Sequence, residues 1–303
     1  MKAAWIFSGQ GAQSVGMGKD LYDSVASAAK VFREADSILG YSISDICFNG
    51  PAEKLTCSEY CQSAIFTMSM ACLAAFKERF PNAKPVAAAG LSLGEYAALC
   101  AAGYFTFADG LKLVTKRGSL MDIACKQTNG SMASIIGGKT EIIEQVCAEE
   151  DIDVANYNCP GQTVISGPAE RVAKAAETIK AQGAKRAVIL NVAGAFHSRL
   201  MRSADDALQS VLADVPVSPL QFPVAQNFIG EIVSDETKIK GNLAAQVAGS
   251  VRWESCIRDI AEKTGADTFI EFGPGSVLTG LVRRTIPGAA LFNISKVEDL
   301  DTV

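Results

Sequence analysis

The run Gly90-Leu91-Ser92-Leu93-Gly94 places a serine between two glycines, each two residues away. Before it lies a short apolar run, Val86–Gly90, of the kind found in a buried strand, and after it Glu95–Ala102 is made of strong helix formers and stops at Gly103. A serine on a sharp strand-to-helix turn is a nucleophile elbow. The turn projects the hydroxyl away from the sheet, and the glycines relieve the crowding it creates. The N-terminus of the following helix aims free backbone N–H groups at the site, so the N–H of Leu93 is the natural donor to an oxyanion. The chemistry is acyl transfer through a serine ester, and such a serine needs a base at neutral pH. The chain holds one histidine, His197, so a histidine-based mechanism has a single possible base. No acidic residue announces itself as a third member; a backbone carbonyl could orient the ring instead.

These two residues need a scaffold, and the sequence describes one. Ala3–Phe7 reads as a first strand, followed by a glycine-rich loop, Ser8–Gly18. Ala64–Phe76 reads as a buried helix, and a further helix is expected from about Phe107 to Lys126 with Asp109 near its start. The middle third changes character. Strands are expected at Ser131–Ile136, Ile152–Tyr157, Thr163–Ser166 and Arg186–Val192, with helices at Lys139–Glu149 and Glu170–Gln182 and turn chemistry at Asn158-Cys159-Pro160-Gly161. That β-α-β-β-α-β order is ferredoxin-like. Helical patterns then resume, with a late strand at Thr268–Phe272 and the loop Gly273-Pro274-Gly275. The expected architecture is an α/β protein. A large α/β-hydrolase-like domain with a parallel sheet, residues 1–127 and 195–303, carries the elbow, and a small ferredoxin-like α+β subdomain, residues 128–194, is inserted in it.

Composition removes other classes. The 303 residues are 49% hydrophobic and 20% charged, with a formal net charge of −5, an ordinary globular balance with no global electrostatic footprint for nucleic acid. The apolar part of the N-terminus is too short for a signal peptide, and the longest apolar stretch is too short to cross a bilayer; a cytoplasmic protein without membrane contact is expected. Nine scattered cysteines with a single histidine fit free thiols better than a disulfide framework or a metal site. The first loop lacks the full G-x-G-x-x-G spacing and any P-loop lysine motif, which argues against a nucleotide.

With further motifs added, the chain resembles the malonyl-CoA:acyl carrier protein transacylases, the malonyl loaders of fatty acid synthesis, and their relatives in polyketide synthases. The resemblance spans the whole chain. It rests on Phe7–Gln13, Gly90–Tyr96, Arg117-Gly118 with Met121, Asn156–Gly167, Gly194–His197, Gln246 followed by Val251-Arg252-Trp253, and Glu271–Gly275 with Leu278-Thr279-Gly280. It implies that Ser92 is acylated and His197 is the base, with a backbone N–H of Gln10 beside that of Leu93 in the oxyanion hole. It implies that the carbonyl of Gln246 orients the histidine, and it groups Gln246 with Arg117 and Phe196 on the substrate side. Arg117 would pair with the malonyl carboxylate, a role that suits a guanidinium. Phe196 is like the malonyl-selecting members. The implied partners are malonyl-CoA and holo acyl carrier protein, the expected state is a monomer, and no metal or redox cofactor is implied.

Two residues depart from the pattern: Leu91, where many members have histidine, and Asp122, where many have glutamine. A carboxylate at Asp122 could compete for Arg117 or face solvent. A carrier protein is expected to be acidic, which makes Lys185, Arg186, Arg199 and Arg202 candidate contacts. Rival readings are an acyl-thioester hydrolase using the same Ser92 and His197, an idle docking subunit, and a discrete acyltransferase of a polyketide synthase.

Overall fold

The computed structural model describes residues 2–303. In chain order the first half comprises β1 (Ala3–Phe7), α1 (Lys19–Ser24), α2 (Ala26–Leu39), α3 (Ile43–Asn49), α4 (Ala52–Thr56), α5 (Ser58–Arg79), β2 (Ala87–Gly90), α6 (Gly94–Ala101) and α7 (Phe107–Lys126). The middle comprises β3 (Gly130–Ile136), α8 (Thr140–Glu149), β4 (Asp153–Cys159), β5 (Gln162–Pro168), α9 (Ala169–Ala181) and β6 (Arg186–Ile189). The last part comprises α10 (Arg202–Ala213), β7 (Val224–Gln226), β8 (Glu231–Ile232), α11 (Ile239–Ala248), α12 (Trp253–Thr264), β9 (Thr268–Phe272), α13 (Val277–Thr285) and β10 (Ala290–Ile294). Among the described residues no helix is long and apolar enough to cross a membrane.

The protein is a mixed α/β structure with two sheets. The first has strand order β10-β9-β1-β2-β7-β8. Its first five strands run parallel, and β8 pairs antiparallel at the edge. Both faces are covered by helices, so its central strands are buried along their length: β1 has no exposed residue, and β2 and β9 are buried throughout, Glu271 of β9 included. An aromatic group of Trp5, Phe7, Phe76 and Phe272 packs on one face. Helix α5 runs through that core and buries nearly every side rather than one stripe, as expected of a helix enclosed all round.

The second sheet is antiparallel, in the order β4-β5-β3-β6. Helices α8 and α9 pack on it over a core of their own that includes Ala133, Ile135, Ile143, Val146, Ile165, Val172 and Ile179. The hairpin is tighter than the sequence suggested: β4 runs on through Cys159 and β5 starts at Gln162, leaving Pro160-Gly161 as the turn. The last strand is shorter than expected, because its ladder against β3 ends at Ile189 and the chain is exposed from Asn191 to Ala193.

Candidate active site

The site forms at the carboxyl ends of the parallel strands, where open α/β sheets hold their ligands. β2 ends at Gly90 and α6 starts at Gly94, so the whole turn is three residues long. A methyl group built on Gly90 would lie 1.9 Å from the carbonyl carbon of Gly94, and one on Gly94 would lie 2.1 Å from the Phe7 carbonyl oxygen. Neither glycine can be replaced without moving backbone. The loop after β1 presses on the same turn, since a Cβ on Gly9 would meet the Leu91 carbonyl oxygen at 2.6 Å. This brings the neighbouring Gln10 to the elbow. Neither the Leu93 nor the Gln10 N–H has a protein acceptor among the described residues.

Three described non-glycine residues have positive φ; two of them are Ser92 (52°) and His197 (56°). Such backbone is costly for a side-chain-bearing residue and persists where the surroundings over-determine it. At Ser92 the determinant is visible: its N–H donates to Asn227 Oδ1 at 2.6 Å, while Asn227 Nδ2 donates to the Gly90 carbonyl at 2.9 Å. Asn227, just past β7, staples the turn closed.

Ser92 Oγ and His197 Nε2 are 2.8 Å apart, and His197 Nδ1 is 2.7 Å from the Gln246 carbonyl oxygen. A carbonyl can only accept, so Nδ1 carries the proton and Nε2 presents its lone pair to the serine. Burial pulls the His197 pKa down to about 4, aided by the nearby Arg117 charge and opposed by the backbone hydrogen bonds. The ring is therefore neutral at pH 7, as a base must be.

Arg117, on α7, is buried. Its Nη1 donates to Gln62 Oε1 at 2.8 Å, and its Nη2 donates both to Ser92 Oγ at 2.9 Å and to Gln246 Oε1 at 3.0 Å. Its Nε is buried without a partner, and the guanidinium lies over the Tyr96 ring. Burial pulls its pKa down, opposed by Tyr96 and Glu95, but an arginine keeps its charge. Since arginine only donates, the bonds run one way: Arg117 to Ser92, Ser92 to His197, His197 to the Gln246 carbonyl.

The structure thus joins Ser92, His197, Arg117 and Gln246 in one hydrogen-bonded group, with Leu93 and Gln10 around the elbow. Phe196 is buried in the main apolar core immediately before the base. Asp122 pairs with Lys126 at 2.6 Å, one turn along α7, and makes no hydrogen bond or ion pair with Arg117 among the described residues. Of the basic candidates, Arg199 pairs with Asp151 and Asp153, and Arg202 pairs with Asp205. Both are already neutralised, whereas Lys185 and Arg186 are exposed and have no ion pair among the described residues.

Sequence reasoning missed Gln62, Asn227 and the role of Glu95. Glu95 is fully buried; its Oε1 accepts from Gln226 Nε2 at 2.9 Å, and its Oε2 accepts from the Asn227 N–H at 2.8 Å and Gln246 Nε2 at 2.9 Å. Burial pushes its carboxyl up to about 7, opposed by those three bonds and by the Arg117 charge. Strand β4 anchors both sides of the histidine. Its Asp153 accepts from the Arg199 N–H at 2.8 Å, the Ala155 carbonyl accepts from the Val251 N–H at 2.8 Å, and the Val251 carbonyl accepts from the Tyr157 N–H at 2.9 Å.

An elbow serine with a neutral histidine at the end of a parallel sheet defines an enzyme that works through an acyl-serine ester, and a family model described as the acyl transferase domain matches residues 4–298. The chain is 43% identical over 288 residues to the malonyl CoA-acyl carrier protein transacylase of Bacillus subtilis (strain 168), covering 93% of this chain and 90% of that protein. The acyl-carrier-protein S-malonyltransferase structure from Burkholderia pseudomallei 1710b superimposes with a TM-score of 0.95 at 38% identity, covering 100% of this chain and 99% of that one. A malonyl-transacylase solved in complex with its holo acyl-carrier protein, from a type II polyketide synthase (PKS), gives 0.96 at 36% identity over 100% and 98% of the two chains. The chain belongs to the malonyl CoA-acyl carrier protein transacylases.

Proposed function

We propose that the protein moves the malonyl group from malonyl-CoA to the phosphopantetheine thiol of acyl carrier protein through a malonyl ester on Ser92, by a ping-pong route. One observation carries this reading: Ser92 Oγ is bonded at once to the lone pair of a neutral histidine and to a buried guanidinium. His197 takes the hydroxyl proton as Oγ attacks the thioester carbon. The positive charge of Arg117 favours the negative charge developing on Oγ. The carbonyl oxygen, now an oxyanion, is received by the N–H groups of Leu93 and Gln10. Collapse expels CoA as its thiol, with the proton returned from His197 Nε2. The carrier thiol then attacks the ester by the same steps in reverse. No step calls on a metal or redox cofactor.

Arg117 selects the acyl group. An acyl chain on Ser92 that ends in a carboxylate can pair with the guanidinium beside it, whereas acetyl leaves that buried donor without an anion. Phe196 borders the acyl site in this reading. Residues 128–194 are read as a ferredoxin-like subdomain inserted in an α/β-hydrolase-like domain, which the strand order β4-β5-β3-β6 supports.

The test is mass spectrometry after incubation with malonyl-CoA. A gain of about 86 Da, malonyl in place of a proton, is expected on the Ser92 peptide. An unmodified Ser92 peptide rejects the reading. Transfer to holo acyl carrier protein must then outrun release to water; the reverse order would identify a hydrolase. Because one solved relative sits on a type II PKS carrier, competition between fatty-acid and polyketide carrier proteins identifies the preferred acceptor.

A further inference from the structure

The buried carboxyl of Glu95 stands apart from the reacting atoms, yet Gln246 and Asn227, which hold them, both rest on it. Its partners are all donors, and their orientations are fixed. Arg117 can only donate, so the oxygen of Gln246 must face Arg117 and its nitrogen must face Glu95. The Asn227 contact is a backbone N–H. Gln226 turns its oxygen to Asn242 Nδ2 and its nitrogen to Glu95. A proton on Glu95 would point at a donor, so the ionised form satisfies the site. A lone buried carboxylate carries a desolvation cost that an apolar side chain would avoid. Here its counter-charge is Arg117, reached through the Gln246 amide rather than by direct contact.

We propose that Glu95 is a positioning residue whose carboxylate, acting through Gln246 and Asn227, sets three things together: the Ser92 turn, the carbonyl that orients His197 and the guanidinium of Arg117. Asn227 conveys the first, because its N–H rests on Glu95 while its side chain spans the Gly90 and Ser92 backbone. Gln246 conveys the other two. Its carbonyl receives the His197 proton, its Oε1 receives Arg117, and its Nε2 bridges Glu95 and the Ser92 carbonyl at 3.1 Å. Reading of the acyl carboxylate and orientation of the base therefore share one support. This inference rests on the roles given above to Ser92, His197 and Arg117.

The variant Glu95→Gln keeps the shape but turns an NH2 group toward a donor. Full-length protein, with its fold checked by circular dichroism at the assay temperature, is followed in single-turnover acylation by malonyl-CoA and by acetyl-CoA. Malonyl acylation is expected to fall roughly tenfold or more, and the preference for malonyl over acetyl about fivefold. Gln246→Met breaks the same link from the other end while keeping the backbone carbonyl, and should reproduce both changes. The double variant should be no worse than the poorer single one. A folded Glu95→Gln protein with unaltered preference, or fully additive losses, overturns the proposal. If Glu95→Gln does not fold, Glu95→Asp, which keeps the charge but draws it back from Gln246 and Asn227, decides instead: lost preference supports the proposal, and unaltered preference overturns it. Wild-type protein that malonyl-CoA leaves unmodified would instead reject the function itself.

Discussion

The two sheets are built to opposite standards. The parallel sheet ends in the loops that carry Gln10, Ser92 and Asn227, and it is packed around charge. All the buried acidic and basic side chains of the described residues, Glu95, Arg117, His197, Asp205 and Glu271, lie in its part of the chain. The antiparallel sheet between Gly130 and Ile189 buries none, and its helices rest on an aliphatic core. One region accepts desolvated charge and positive-φ backbone because chemistry needs them. The other is organised for packing. A charge lost from the first should change rate and selectivity, while volume lost from the second should change stability.

The largest effect should follow from the tightest contact. Gly94→Ala pushes a methyl into the Phe7 carbonyl oxygen; acylation should be abolished and stability should drop by at least about 3 kcal/mol, read by denaturant unfolding. Next, Arg117→Ala should lower malonyl acylation by about a hundredfold or more and acetyl acylation far less. Equal losses would show that Arg117 serves only the hydroxyl of Ser92.

The pH profile of malonyl acylation should fall in two steps on the acid side. His197 has its pKa lowered from 6.5 to about 4, so the base stays neutral until the pH nears 4 and the final loss of rate lies there. Glu95 has its pKa raised from 4.5 to about 7, so its carboxylate form is lost as pH falls through about 7, giving an earlier, partial step. Arg117, Tyr96 and Cys256 are the titratable groups facing it. That upper step should vanish in Glu95→Gln while the lower one remains.

In the antiparallel region, Ile135→Ala empties part of the aliphatic core and should cost about 2–5 kcal/mol, while the acylation rate per folded molecule stays within about threefold. A collapse of that rate would break the contrast between the regions. The smallest change is expected at Gly280 in α13, where a methyl meets nothing within 4 Å: Gly280→Ala should add about 0.5–1 kcal/mol of stability without altering turnover.

How much of this was legible beforehand depends on how local each signal is. Ser92 announces itself because glycine spacing, strand and helix all lie within one short stretch, and His197 because the chain has no other histidine. The roles of Arg117, Gln246, Phe196 and Gln10 came through family resemblance, since an arginine inside a helix otherwise reads as a solvated surface residue. Glu95 was hidden by its position: an acid in the first turn of a helix looks like an ordinary partner of the helix dipole. Gln62 and Asn227 sit in segments with no motif, and tertiary contacts alone give them work. Strands β7 and β8, three and two residues long, are too short to show a period. The middle unit was readable nearly element by element, because its amphipathic helices and hairpin obey local rules.

Strand β4 grips the chain on both sides of the imidazole, at Arg199 and at Val251. It therefore couples the base and the carbonyl that steadies it into one mechanical body. Anchored to one strand, the ring and its acceptor keep the proton on Nδ1, so the antiparallel sheet serves the chemistry as a fixed mount and not as a moving part.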